Sequence, residues 1–151
     1  MSEIIINISK TGLNKLFKEY EIKSLQYIWN KSFDGAGSGD IHQYVNNNLD
    51  GKKISRASIT LFLNAMAEMN VLKFDLRSGK GGMRRIYYPA YSESELKIQI
   101  IRDTFNSFLN DFPNETRKVI EEFRDTDAIT NNTKQPASNN KKRSLKDLFE
   151  R

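Results

Sequence analysis

The sequence predicts a mainly helical α+β protein with one small β-hairpin, laid out as a winged helix-turn-helix followed by C-terminal dimerisation helices. Three observations predict it. Apolar residues recur at helical spacing in three successive stretches, and two runs of strand-forming residues then flank the glycine-rich Ser78-Gly-Lys-Gly-Gly82. Basic residues crowd into the same region: residues 51–90 hold Lys52, Lys53, Arg56, Lys73, Arg77, Lys80, Arg84 and Arg85 against only Glu68 and Asp75. Cations near phosphates release condensed counterions, so such a cluster suits a nucleic-acid backbone, although a solvated basic surface has the same composition.

In chain order, Ile4 to Ile8 reads as a short strand or arm, and Thr11 as the cap of a turn carrying Leu13, Leu16, Phe17 and Tyr20. Over 20–31, Ile22, Leu25, Ile28 and Trp29 share one helical stripe. A flexible glycine-rich connection at 33–39 follows, after which Ser38 or Asp40 caps a second helix with Ile41, Tyr44, Val45 and Leu49, stopped by Asp50-Gly51. Ser55 starts a third helix in which Ile59, Phe62, Leu63 and Met66 form the core stripe while Arg56, Ala57, Thr60, Leu61 and Asn64 face elsewhere. Asn70 tolerates the left-handed conformation that ends helices, and 72–77 with 83–89 form the hairpin.

Beyond Tyr91, Ser92 and Glu95 make a capping box, and Ile98, Ile101, Phe105, Phe108 and Phe112 recur at spacings of three and four. Pro113 is expected to break this helix, with Asn114 capping another through Arg124 that aligns Val119, Ile120 and Phe123. These faces either cover the winged helix of their own chain or meet a second copy, and the heptad-like seam favours a homodimer. From Asp125 to Asn140 apolar periodicity is lost, which predicts a linker. The terminal Lys141-Lys-Arg-Ser-Leu-Lys-Asp-Leu-Phe-Glu-Arg151 places Leu145, Leu148 and Phe149 at helical spacing after a basic run. It reads as a helix that docks on the dimer, a basic tail adding DNA affinity, or a motif for a protein partner. It loosely resembles a sliding-clamp-binding box without the leading glutamine and paired aromatics. The expected organisation is an N-terminal extension at 1–18, a winged-helix DNA-binding domain at 19–91, a helical dimerisation region at 92–124 and a flexible tail at 125–151.

Several chemistries are disfavoured. The chain has 151 residues, no cysteine and one histidine, His42, so neither a metal site nor any cofactor is expected. The glycines at 35–39 and 79–82 lack the strand-to-helix context and Lys-Ser/Thr ending of a phosphate loop, and no nucleophile or carboxylate pair suggests an enzyme. Apolar runs are too short to span a membrane and no secretory signal opens the chain, which points to a cytoplasmic, nucleoid-associated protein.

The expected recognition helix presents Ser55, Arg56, Ala57, Ser58, Thr60 and Asn64. Arg56 suits a guanine edge, while Asn64 suits adenine or a phosphate. Ser55 alternatively only caps the helix, Arg56 is only a solvated first-turn residue, and Ser58 is a small packing residue. Lys52, Lys53, Arg77, Lys80, Arg84 and Arg85 are assigned to the DNA backbone. Strand alternation puts Arg84 and Arg85 on opposite faces, so one of the two is expected to reach DNA.

Three stretches carry a family resemblance: Tyr20-Glu-Ile-Lys-Ser-Leu-Gln-Tyr-Ile-Trp29; Ile54-Ser-Arg-Ala-Ser-Ile-Thr-Leu-Phe-Leu-Asn64 running on to Val71-Leu72; and Arg85-Ile-Tyr-Tyr-Pro-Ala-Tyr-Ser-Glu-Ser-Glu-Leu96. In order and spacing they resemble the penicillinase-repressor family, which includes the methicillin-resistance and copper-responsive repressors. The resemblance implies a dimeric winged-helix repressor that binds a palindromic operator through the helix beginning at Ser55. Ala65, Glu68 and Asn70 stand where that family commonly has Arg, Lys and Gly, and neither the cysteines of the copper branch nor the cleaved Asn-Phe bond of the protease-regulated branch is present. The function expected is therefore sequence-specific binding of double-stranded DNA in transcription regulation. The alternative is a winged helix used for protein contact in transcription or replication machinery.

Overall fold

The computed structural model describes residues 3–130. The chain divides into two compact units, Met1–Ser94 and Glu95–Arg151. After a single 3-10 turn at Gly12–Lys15 come α1 (Glu19–Lys31), β1 (Ala36–Gly37), α2 (Ser38–Asn48), α3 (Arg56–Glu68), β2 (Leu72–Gly79), β3 (Gly82–Pro89), α4 (Glu93–Asp111) and α5 (Pro113–Thr130). The strands form one antiparallel sheet in the order β1-β3-β2. This is the expected mainly helical architecture with a small sheet, in winged-helix order.

Each helix of the first unit forms because one stripe of its surface is apolar. Leu25 and Ile28 of α1, Ile41 and Val45 of α2, and Ile59, Phe62, Leu63 and Met66 of α3 are buried together with Leu72, Ile86 and Tyr87 of the hairpin. Burial of one such side chain is worth about 1.5–3 kcal/mol, which makes this shared stripe the main driving force for the unit. Two polar groups inside it are satisfied. Ser24 Oγ donates to the Tyr20 carbonyl over 2.7 Å, and Trp29 Nε1 donates to the Tyr91 carbonyl over 3.0 Å, tying α1 to the chain just beyond β3. Asn70, with φ of 58°, ends α3, and the Val71 amide then donates back to the Met66 carbonyl.

Several local expectations are corrected. The stretch 33–39 contains β1, whose Ala36 and Gly37 pair with Tyr87 and Ile86. Gly35 precedes it with φ of 69°, and a Cβ there would lie 2.5 Å from Tyr88 Cε1, so both conformation and space demand glycine. Neither Ser38 nor Asp40 caps α2: Gly37 occupies the cap in extended conformation, and Asp40 lies in the first turn, where its charge suits the helix dipole. Thr11 makes no side-chain cap bond, and residues 3–18 contain no strand. Instead Phe17 is buried and meets Phe62 edge-on at 6.2 Å between ring centroids.

In the second unit, α4 carries Ile98, Ile101, Phe105, Phe108 and Phe112, all exposed. α4 ends at Asp111, so the helix breaks before Pro113 as expected, and Pro113 itself opens α5, because the first helical position needs no amide donor. Asn114 is therefore the second residue of α5 and not its cap. Thr116 Oγ1 donates to the Phe108 carbonyl over 3.1 Å, closing the α4–α5 junction. α5 runs on to Thr130, past Arg124 and into the expected linker. The terminal motif with Leu145, Leu148 and Phe149 lies outside the described residues.

Candidate nucleic-acid interface

α3 is held at its start by two devices. Ser55 takes the N-cap, its Oγ accepting from the Ser58 amide over 3.1 Å and lying 2.9 Å from Ser58 Oγ. The preceding turn is clamped by α2. Asn46 accepts from the Ile54 amide through Oδ1 (2.8 Å) and donates to the Ile54 carbonyl through Nδ2 (3.0 Å). His42 Nε2 lies 3.0 Å from that carbonyl and 2.9 Å from Asn46 Nδ2, donating to the first in one tautomer and accepting from the second in the other. His42 thus belongs to the helix-turn-helix clamp. Lys52 and Lys53 stand exposed on the turn it holds.

The side chains expected to read DNA divide by what already engages them. Arg56 is exposed but leans back on α2, its Nη2 3.4 Å from Ser38 Oγ. Thr60 Oγ1 donates to the Arg56 carbonyl over 3.0 Å. Ala57 is exposed and Ser58 half-buried. At 3.6 residues per turn, Ala57, Thr60, Leu61, Asn64 and Glu68 share the face opposite the core stripe. On that face Leu61 is 70% exposed. Leu61 was placed off the core stripe but not among the expected site residues, because an apolar side chain offers no hydrogen bond to a base edge or phosphate.

The hairpin has two unlike faces. Its register pairs Arg77 with Arg84 and Leu76 with Arg85 across the strands. Arg77 and Arg84 therefore share one face, with Arg77 Nη2 donating to Tyr88 Oη over 2.6 Å. Arg85 lies on the other face, its guanidinium carbon 4.2 Å from the Phe74 ring centroid. The expected division between Arg84 and Arg85 thus falls with Arg84 beside Arg77 and Arg85 turned to α3. Lys80 forms the two-residue tip with Gly81, and all six basic residues assigned to the DNA backbone are exposed.

Asn64 joins helix and wing. Its Oδ1 accepts from Arg85 Nη1 and from Tyr87 Oη, each over 2.8 Å. Burial pushes the Tyr87 phenol above its ordinary pKa, with the neighbouring Arg85 pulling the other way. A neutral phenol keeps its proton to donate.

Alongside α3, a groove of about 380 Å³ is lined by Ile4, Leu16 and Phe17 of the N-terminal segment and by Leu61, Ala65 and Met66 of the helix, among others. Among the described residues no helix is long and apolar enough to cross a membrane, and no group of three or more His, Asp or Glu side chains is placed to hold a metal ion. No protein-family model matches the chain, and no curated protein matches its sequence.

Proposed function

We propose that this chain is a sequence-specific, double-stranded DNA-binding transcription regulator that acts as a homodimer, with α3 in the major groove and the β2–β3 hairpin on the flanking backbone. The observation that carries the reading is the cross-strand pairing of Arg77 with Arg84. Like charges set directly opposite one another are unfavourable, and a phosphate lodged between them reverses the sign of that interaction. Lys80 at the tip and Lys52 and Lys53 before α3 extend the same cationic surface. The likeness of residues 19–96 to the penicillinase-repressor pattern supports repression at a palindromic operator, and the cationic surface is what a DNA-binding unit of the nucleoid needs.

The exposed seam of α4 supports the dimer. At 100° per residue its five large apolar side chains fall within an arc of about 80°, a contiguous patch that monomers rarely leave in water. Two recognition helices related by a twofold axis would meet successive major grooves about 34 to 36 Å apart. A second reading, a winged helix used for protein contact, is favoured by the exposure of Leu61 beside Glu68. Titration against duplex fragments from upstream of the chain's own gene, with a scrambled duplex as competitor, tests the choice. Saturable, competitor-resistant binding is the expected result; equal weak binding to every duplex would leave the protein-contact reading.

A further inference from the structure

We propose that α3 reads a thymine through Asn64 and Leu61, and that Arg85 and Tyr87 set this preference from the wing by making the Asn64 amide a pure donor. The inference rests on the DNA-binding reading above and names the base it selects.

An asparagine free to orient itself pairs with adenine, donating to N7 while accepting from the N6 amino group. Asn64 is not free. A carbonyl oxygen has two lone pairs, and Oδ1 accepts from both Arg85 Nη1 and Tyr87 Oη at 2.8 Å. A guanidinium can only donate, so turning the amide over would set N–H against the Arg85 N–H and lose that bond, leaving only the Tyr87 hydroxyl able to turn and accept. Arg85 is itself held over the Phe74 ring, so the acceptor stays occupied. What Asn64 has left for another molecule is N–H donation.

Acceptors in the major groove are thymine O4, guanine O6 and purine N7; the cytosine amino group would meet a second donor, and adenine keeps only its N7 contact, losing the N6 half of the usual asparagine pair. Leu61 lies one helical turn before Asn64 on the same face and is 70% exposed, and exposed Ala57 lies one turn before Leu61. An apolar surface beside a donor matches thymine, which alone among the bases carries a methyl group next to its acceptor. Guanine offers nothing to Leu61. The exposure of a large side chain that core packing does not use, and the closed acceptor of Asn64, thereby point to the same base.

The test uses the full chain and a pool of random duplexes. After selection, each thymine of the winning duplex is replaced in turn by deoxyuridine, which removes only the methyl group. At one thymine per half-site the replacement is expected to weaken binding about fourfold, the transfer value of a methyl group, and to have no effect on a Leu61→Ala chain. In the Arg85→Met, Tyr87→Phe double variant the Asn64 oxygen is released. The affinity ratio of thymine over adenine at that position should then fall towards one, whatever happens to overall affinity. Enrichment of adenine or cytosine at the position where Asn64→Ala abolishes discrimination would overturn the proposal, as would deoxyuridine being neutral everywhere. A chain that enriches no sequence fails differently, because it removes DNA reading itself.

Discussion

Arg85 donates to the side-chain oxygen of Asn64 over 2.8 Å, so a cation assigned on sequence grounds to the DNA backbone is committed to positioning a residue of α3. Arg84, its neighbour in sequence, lies on the opposite face of the hairpin beside Arg77.

The two arginines should therefore separate in a salt series. Arg84→Ala is expected to reduce the slope of log affinity against log salt by about 0.9, the loss of one phosphate contact. Arg85→Ala should leave the slope nearly unchanged while altering sequence preference. Equal slope changes would place both side chains on phosphates.

Gly35→Ala should destabilise the first unit by about 2–5 kcal/mol, combining the left-handed backbone penalty with overpacking against Tyr88 and Ile86. Gly51→Ala is the control, because its φ is also positive at 99° but nothing lies within 4 Å of the added Cβ. Urea midpoints of the two variants isolate the packing part. Similar midpoints would mean that β1 does not constrain β3.

Asn46→Ala removes both bonds to the Ile54 backbone and should cost about 2–3 kcal/mol, since one partner of each pair is left behind half-buried. DNA affinity should fall further than stability alone dictates, because the turn that aims α3 is released. Unfolding and binding titrations on the same sample check this; full affinity in a destabilised variant would argue against the clamp.

Stability should decline in strong alkali for an identifiable reason. Burial, reinforced by the negative charge of Glu21, pushes the Tyr20 phenol up to about 12 from its ordinary 10. The folded state thus holds the proton more tightly than the unfolded chain, and this contribution is complete below about pH 10 and lost as pH rises through about 12. Tyr87 acts in the same direction. Tyr20→Phe should flatten the fall in urea midpoint across that window, and an unchanged fall would assign it elsewhere.

Homodimerisation through α4 predicts that Ile101→Glu with Phe105→Glu sediments as a monomer with unchanged helix content. A dimer of unaltered mass would move the interface away from that seam.

Legibility in the sequence followed the range of the interactions. The core stripe of α3 could be read because Ile59, Phe62, Leu63 and Met66 repeat at helical spacing, and the opposite facing of Arg84 and Arg85 because strand period is two. β1 was hidden since two residues carry no period; its evidence lies in Tyr87 and Ile86, some fifty residues away. The fate of Asn64 was equally hidden, because its partners stand 21 and 23 positions further along. The break before Pro113 was legible because proline cannot continue a helix, but the cap at Asn114 was misplaced because the same missing amide is harmless at a helix start, so proline itself takes the first position of α5.

The most direct test of DNA binding is the affinity of the full chain for its selected duplex across a salt series. Seating of the three wing cations Arg77, Lys80 and Arg84 on phosphates predicts a slope of log affinity against log salt at least as steep as about −2.7 per protomer. A flat line would contradict the account and leave the winged helix a protein-contact module.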